Sequence, residues 1–249
     1  MRAFAAVQVR MGSSRLPGKV MLDLGGRPLL GVLLDRLRCS RSLTGIVVAT
    51  STLPENDVIA NFCRAEAVPC FRGDEDDVLG RMLGALRSVD AGLGIEIFGD
   101  CPLIDPRLVD EMIDAFVANG ELDWLGNDLA TTYPPGMEVE VFRVAALADA
   151  GDRCRDAAIR EHGTLFIRQH PELYRIRNVE APAAHHRPDL SVEVDAPEDF
   201  RIVEAILGHF APRRDFTLAE IIAFLDDRPS LAAANSLVPR RWKQFRGEA

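Results

Sequence analysis

The chain has 249 residues, of which 47% are hydrophobic and 27% charged, and its mean hydropathy is +0.01. These proportions are typical of a globular protein and exclude a disordered or fibrous chain. The 29 lysines and arginines are outnumbered by 38 aspartates and glutamates, which gives a net charge of −9. That balance disfavours nucleic acid or an anionic membrane surface as a partner, but a small anionic substrate responds only to its own pocket.

The cysteines and the apolar segments indicate the cellular compartment. Five scattered cysteines without a CxxC pair argue against a disulfide framework or a zinc site and favour a reducing cytosol. The apolar start, residues 1–7, is too short for a signal peptide. No apolar stretch approaches the roughly 20 residues of a membrane helix. We therefore expect a soluble, cytoplasmic protein.

Apolar runs alternate with helical patterns over the first 119 residues, which predicts a mostly parallel sheet with helices on both faces. Thr52 and Glu55 have the spacing of a capping box, and Asp105 with Pro106 is typical of a helix start. The predicted strands are 4–9, 46–50, 68–71 and 95–99, and the predicted helices are 29–37, one carrying Val58, Ile59 and Phe62, 77–88, and 106–116.

The alternation breaks down after Gly120. Short β-like runs follow at 138–142, 173–179 and 190–194, with a helical stretch at about 153–170 between the first two. Helices are predicted again at 197–207 and near 218–225. The basic segment 240–246 receives no role.

A glycine- and serine-rich loop with three cations follows the first predicted strand. It contains Arg10, Gly12, Ser13, Arg15 and Lys19, so it offers backbone N–H groups and positive charge at the carboxyl end of a strand. It is not a P-loop, since five residues rather than four separate Gly12 from the Gly-Lys pair and a valine follows the lysine. The alternative is a solvated surface loop, but three cations in an acidic protein favour a phosphate site.

The loop and the segment after it resemble the signature of the cytidylyltransferases that activate acidic sugars. The resemblance is strongest to the SpsF branch of spore coat polysaccharide biosynthesis, while 3-deoxy-manno-octulosonate and acylneuraminate cytidylyltransferases are more distant. The matching blocks span nearly the whole chain: RMGSSRLPGKVM with DLGGRPLL, IVVATS, FRGDEDDVLGR, GDCPLIDP, YPPG, EVEVF, REH and VDAPEDF.

The resemblance implies a fold and separate roles for the two halves of the chain. It implies an α/β, Rossmann-like nucleotidyltransferase fold of GT-A type, in which a mostly parallel sheet is flanked by helices and joined to a smaller β-containing acceptor and dimerisation subregion. We expect one domain over 1–229, with a nucleotide-binding half (1–119) and an acceptor or dimer half (120–195). A basic tail occupies 230–249. The implied partners are CTP, a small sugar acceptor and a second copy of the chain.

The nucleotide set implied by the resemblance is Arg10, Gly12, Ser13, Arg15 and Lys19. Among these, Arg15 and Lys19 are the candidate catalytic cations, because they would hold the β- and γ-phosphates and steady the departing pyrophosphate. Arg81 could contribute to the same site, although an arginine on a helix surface is the commoner explanation.

Two aspartates are candidates for a Mg²⁺ site. Asp100 follows the predicted strand 95–99, and Asp195 follows the run 190–194, so both could converge at one edge of the sheet. Each has a structural alternative, since Asp195 could cap the next helix and Asp100 could close a turn. In the family these positions resemble the metal-binding pair, and a divalent cation is needed to neutralise a triphosphate. We therefore predict Asp100 and Asp195 as catalytic metal ligands.

The acceptor side is assigned from the resemblance alone. Several of these residues also fit a half-buried strand, and His162 could be a structural hydrogen-bonding residue. Whether a side chain deprotonates the sugar hydroxyl is left open. The candidates are Tyr133, Gly136, Glu138, Glu140, Glu161 and His162.

These residues predict transfer of CMP from CTP to a sugar, with release of pyrophosphate. One alternative is a glycosyltransferase that uses Asp74 and Asp76 as a DxD metal motif, but it leaves the cationic loop without a purpose. A second alternative is a nucleotide-binding protein that has lost catalysis, against which the presence of both Asp100 and Asp195 argues.

Overall fold

A single seven-stranded sheet organises the chain in the computed structural model, which describes residues 1–13 and 15–240. The strand order is β3-β2-β1-β4-β6-β5-β7. Strand β6 runs antiparallel to both of its neighbours, and all other pairs are parallel. The strands are β1 (Ala3–Gln8), β2 (Gly45–Ser51), β3 (Cys70–Gly73), β4 (Leu93–Phe98), β5 (Trp124–Gly126), β6 (Glu140–Arg143) and β7 (Ile176–Asn178).

Helices cover both faces of this sheet. The α-helices of the described residues are α1 (Leu29–Leu37), α2 (Asp57–Ala65), α3 (Val78–Ser88), α4 (Pro106–Asn119), α5 (Val144–Arg153), α6 (Ala157–Arg160), α7 (Leu165–Gln169), α8 (Pro197–Phe210), α9 (Leu218–Asp226) and α10 (Pro229–Ala232). Short 3-10 turns lie at Lys19–Met21, Pro54–Asn56 and Ala183–His185. None of the described helices is long and apolar enough to cross a membrane.

The two faces of the sheet bury two separate cores, because successive strand residues point to opposite sides. In β1, Ala5 and Val7 join the larger core with α1, α4, α8 and α9. Phe4 and Ala6 of the same strand join the smaller core with α3, α5 and α7. This alternation also decides which strand residues face the ligand clefts described below.

The mostly parallel sheet and most elements of the first half are confirmed. Asp77 caps α3 by accepting from the Gly80 amide, and Asp105 caps α4 by accepting from the Arg107 amide, with Pro106 in the first turn. Strand β3 begins two residues later than predicted.

The capping box predicted at Thr52 and Glu55 is wrong. Pro54–Asn56 forms a 3-10 turn instead, and α2 begins at Asp57 with no side-chain cap. Asn56 lies fully buried at this junction, where its side chain is used to hold another segment.

The second half departs most from the predictions. The segment 190–194 is buried but forms no strand, because the amides of Val192 and Val194 donate to carbonyls in loops, Pro135 and Asp100, rather than to a ladder. The stretch 153–170 is two short helices, α6 and α7, separated by a turn. Strand β5 and helices α5 and α10 were not predicted. Of the basic tail, residues 241–249 lie outside the described residues.

Candidate active site

A polar cleft lies where β1 and β4 end, side by side at the carboxyl edge of the sheet. Its volume is about 280 Å³, and the loop after β1 forms one wall. All five loop residues predicted to bind nucleotide line it, together with both predicted metal ligands. The lining residues are Gln8, Val9, Arg10, Gly12, Ser13, Arg15, Lys19, Val20, Phe98, Gly99, Asp100 and Asp195.

Asn56 fastens the loop to the body of the protein. Its Oδ1 accepts a hydrogen bond from the Met11 amide (2.8 Å), and its Nδ2 donates to Ser51 Oγ (2.7 Å) at the end of β2. The Gly18 amide donates to the Met11 carbonyl (3.1 Å) and closes the loop on itself. Gly18 has a φ of +70°, a conformation that favours glycine. The loop is therefore fixed in shape at both ends.

We expect Asn56→Ala to loosen this loop without removing any group that is predicted to contact nucleotide. The Met11 amide would lose its partner, at a cost of about 1–3 kcal/mol in the free energy of unfolding. The apparent KM for nucleotide should rise by about tenfold, while the maximal rate changes less. Urea unfolding and steady-state kinetics test this, with Asn61→Ala, a substitution at an exposed residue of α2, as the control.

Lys19 is the centre of the cleft. Its ammonium lies 2.8 Å from Asp100 Oδ2 and 3.0 Å from Asp195 Oδ1, and it also donates to the Val194 carbonyl (2.7 Å). Only 9% of the residue is exposed. One cation therefore joins the loop to two carboxylates that are 95 residues apart in sequence (195 − 100).

The charges of this group stabilise one another. Burial disfavours the ammonium, but attraction and hydrogen bonds to Asp100 and Asp195 outweigh that effect and raise the pKa of Lys19. Burial likewise opposes ionisation of Asp100, and the charge of Lys19 overcomes it, so the pKa of Asp100 is lowered. Lysine and carboxylate are both charged near neutral pH.

The two arginines of the loop are also paired with carboxylates. Arg15 contacts Asp195 Oδ2 (2.6 Å) and donates to the Pro239 carbonyl (2.7 Å). Arg10 contacts Glu75 Oε1 (2.8 Å). All three loop cations therefore line the cleft and form ion pairs with carboxylates. A polyanion that enters the cleft would take the place of these carboxylates.

The donor set of Asp100 and Asp195 fits a hard divalent cation. Both carboxylates already share one positive charge, the Lys19 ammonium, which stands where such a cation would be held. Among the described residues no group of three or more His, Cys, Asp or Glu is arranged around a metal position. A pair of carboxylates suits Mg²⁺, which takes one or two from the protein and the rest from phosphate and water.

The acidic loop Asp74–Asp76 is built by hydrogen bonds within the protein. Asp74 Oδ1 accepts from the amides of Asp76 (2.9 Å) and Asp77 (3.0 Å). Arg81, which is only 3% exposed, donates to the carbonyls of Asp74 (2.6 Å) and Glu75 (2.8 Å). Arg81 is therefore buried and stabilises this loop by hydrogen bonds, so it is not an arginine of the helix surface.

A second cleft of about 510 Å³ continues from the first on the α3 side of the sheet. The two clefts share five lining residues, so a ligand can extend from one into the other. Of the predicted residues that do not line the first cleft, Arg81, Glu140, Glu161 and His162 line the second, and Arg10 and Asp100 line both. Its lining residues are Gln8, Val9, Arg10, Val78, Arg81, Glu96, Phe98, Asp100, Glu140, Glu161, His162, Gly163, Thr164, Leu165 and Arg168.

Tyr133, Gly136 and Glu138 line neither of these clefts. Tyr133 is packed in the larger core, and Glu138 accepts from the Gly136 amide (2.7 Å). Gly136 has a φ of +103°, and a Cβ there would lie 2.6 Å from the Glu193 amide nitrogen. These residues shape the segment against which 192–194 packs.

Sequence reasoning missed Glu96, Asn56 and Arg168. Glu96 carried a usable signal, because it is the one charged residue of an otherwise apolar strand, β4. Asn56 and Arg168 carried none, since each acts on segments distant in sequence.

Comparisons with known proteins show what the chain is similar to. The profile of the cytidylyltransferase family matches residues 4–223. The spore coat polysaccharide biosynthesis protein SpsF of Bacillus subtilis is 32% identical over 239 residues, which cover 91% of this chain and 95% of that protein. A 3-deoxy-manno-octulosonate cytidylyltransferase of Chloroherpeton thalassium is 32% identical over 123 residues, about half of each chain (49% and 49%).

The structure of a cytidylyltransferase from Leptospira borgpetersenii has the same fold. It superposes with a TM-score of 0.88 at 28% identity and covers 93% of this chain and 97% of that one. The similarity therefore includes the second half of the chain, where the secondary structure was hardest to predict.

Proposed function

Because the chain belongs to the cytidylyltransferase family, and is thus a nucleotidyltransferase, we propose that it transfers CMP from CTP to an acidic sugar with release of pyrophosphate. The product would serve surface polysaccharide or glycoconjugate synthesis, as the names of the relatives suggest. The observation that carries the proposal is the buried Lys19 between Asp100 and Asp195, in a cleft walled by a cationic loop.

The loop would hold the triphosphate. Gly12 and Ser13 contribute backbone close to the cleft, and Arg10, Arg15 and Lys19 exchange their carboxylate partners for phosphate oxygens. Lys19 would neutralise charge on the departing pyrophosphate, as a preorganised cation does where negative charge develops.

Asp100 and Asp195 would hold Mg²⁺ once the Lys19 ammonium turns toward phosphate. The ion, when bound, neutralises the triphosphate and orients it for in-line attack at the α-phosphorus. Asp100 also lines the second cleft, so it lies between the nucleotide and the proposed acceptor.

The acceptor would bind in the second cleft, with Glu140, Glu161 and His162 in its lining. Burial lowers the pKa of His162, with a further contribution from the Arg168 charge, so this imidazole is neutral at pH 7. Tyr133, Gly136 and Glu138 would support the acceptor side through the 133–138 segment. A cytoplasmic homodimer is the form we propose for the working enzyme.

The glycosyltransferase alternative is less well supported, because Asp74 is committed to the amides of its own loop. The same site without catalysis would bind CTP and release no pyrophosphate.

The decisive assay measures pyrophosphate release from CTP, Mg²⁺ and a panel of acidic sugars, with ATP, GTP and UTP in parallel. We expect release with CTP and one sugar, and a loss of about a hundredfold in Asp100→Asn and in Asp195→Asn. The exposed Asp90 supplies the matched control, Asp90→Asn, with unchanged activity. Release with a different nucleotide would replace CTP as the proposed substrate and leave the reaction type unchanged. Absence of any triphosphate binding would overturn the proposal.

A further inference from the structure

Two buried carboxyl groups lie opposite each other at the floor of the second cleft. Glu96 of β4 pairs with Glu140 of β6 in the antiparallel register, so both side chains point to the same face of the sheet. They are 2% and 1% exposed and both line the cleft. Like charges directly opposite on neighbouring strands repel each other, so this arrangement costs stability.

In the part of the chain that the structure describes, the surrounding side chains donate hydrogen bonds to the Glu140 carboxyl group but not to that of Glu96. Glu140 accepts from Trp124 Nε1 (2.9 Å), from the Thr164 hydroxyl and from Arg168 (3.2 Å). No hydrogen bond from the described residues reaches the Glu96 carboxyl group. Gly163 lies against it, where a Cβ would be 2.6 Å from its oxygens.

More carboxyl groups than guanidinium groups lie around the floor of the cleft. The charged groups facing Glu96 are Glu140, Asp128, Arg168 and Arg81. Arg168 is already paired with Asp128 (2.5 Å) as well as with Glu140, and Arg81 is committed to the acidic loop. Three carboxyl groups therefore surround one guanidinium.

The pair remains partly protonated near neutral pH. Burial and the neighbouring Glu140 raise the pKa of Glu96 well above its usual range. Burial, together with Asp128, raises the pKa of Glu140 to about 7. A proton thus compensates part of the carboxylate charge at the floor of the cleft, and a cationic group of a ligand could take its place.

The position of the pair suits the far end of the acceptor. Asp100, where the two clefts meet, lies four residues after Glu96 and two residues beyond the end of β4, and both residues line the second cleft. A sugar whose reacting hydroxyl lies at Asp100 would therefore direct its opposite end toward Glu96.

We propose that the acceptor carries an amino group at the end remote from its reacting hydroxyl, and that Glu96 and Glu140 bind it as an ammonium. The inference rests on the proposed function for the identity of the second cleft. On binding, the ammonium forms hydrogen bonds to the two carboxylates, and the proton that the pair held is released to solvent.

The test compares 3-deoxy-manno-octulosonate with derivatives in which the terminal hydroxyl is replaced by an amino or an N-acetylamino group. We expect calorimetry at pH 7 to show at least tenfold tighter binding of the amine. Titration in two buffers with different ionisation enthalpies should show release of about one proton for the amine. The acetylated sugar should release none. In Glu96→Gln the preference and the proton release should both disappear, whereas Glu204→Gln, an exposed residue of α8, should retain them.

The outcomes separate this inference from the proposed function. Pyrophosphate release from CTP without any preference for the amine would overturn the inference and keep the function. Glu96-dependent amine binding without pyrophosphate release from any sugar would keep the inference and overturn the function. Equal binding of all three sugars to the unmodified protein also overturns the inference, without reference to a variant.

Discussion

Lys19→Met is expected to reduce the rate of pyrophosphate release by about a thousandfold, the largest loss we predict for any single residue. Methionine keeps the length of the side chain and removes the charge. The triphosphate would lose a cation that is both buried and positioned between the two carboxylates. The effect should fall on the maximal rate more than on the KM for CTP, because Arg10 and Arg15 still line the cleft in which we propose that the nucleotide binds.

The same substitution should increase metal binding in the absence of CTP. In the unmodified protein the ammonium occupies the space between Asp100 and Asp195, so a cation must displace it. Without it, two neighbouring carboxylates are left to attract a divalent ion. Mn²⁺ titration by electron paramagnetic resonance should show tighter binding, and Mg²⁺ should raise the melting temperature of the variant more than that of the parent.

Arg41→Met is the control for Lys19→Met, since Arg41 is exposed and its side chain takes part in none of the contacts described above. Lys19→Arg should restore only part of the rate, because the guanidinium is planar and larger than the ammonium it replaces. Full activity of Lys19→Met would contradict the assignment of this lysine as the cation of the site.

The convergence of the proposed nucleotide-binding residues in one cleft could be predicted because its signals are local. The cationic loop is contiguous in sequence, and it follows a strand whose five buried residues are apolar. Strand ends in a parallel sheet meet at one edge, so the sequence alone places Asp100 near the loop. The predicted position of Asp195 rests on a strand at 190–194, and this segment does not form a strand. The run is nevertheless buried, and the Val194 amide attaches it to the Asp100 carbonyl.

The acceptor side could not be predicted in the same way, because its contacts join distant segments. Arg168 comes from the short helix α7 and meets Asp128 and Glu140 from other elements. Strand β5 has three residues and is defined only by its neighbours β6 and β7. Such short elements have no periodicity of their own, and tertiary packing decides their conformation.

Glu96 shows what a local sequence pattern leaves out. Its neighbours Ile95 and Ile97 correctly predicted a buried strand, yet the residue between them faces the opposite side of the sheet. On that side it meets a second carboxyl group from a strand 44 residues later (140 − 96). The register of β4 against β6 is what creates the pair.

Glu96→Gln is expected to stabilise the protein increasingly as the pH rises. In the unfolded chain this carboxyl group titrates near 4.5, whereas burial and Glu140 raise its pKa well above that value in the folded protein. Above pH 4.5 the folded state therefore binds more protons than the unfolded state, and stability falls with increasing pH. The slope is about 1.4 kcal/mol per pH unit for one proton, and it continues until the folded group ionises.

Glutamine has no proton to lose, so the variant should escape this decline. The difference in the free energy of unfolding between Glu96→Gln and the parent should be small at pH 4.5 and should widen through neutrality. Glu193, whose pKa is raised by burial to about 8, is present in both proteins and cancels in the comparison. Urea denaturation at several pH values measures the difference, with Glu204→Gln as the matched control. A difference that does not change with pH would show that Glu96 is not protonated in the folded state, and the floor of the second cleft would then hold no proton for an ammonium to displace.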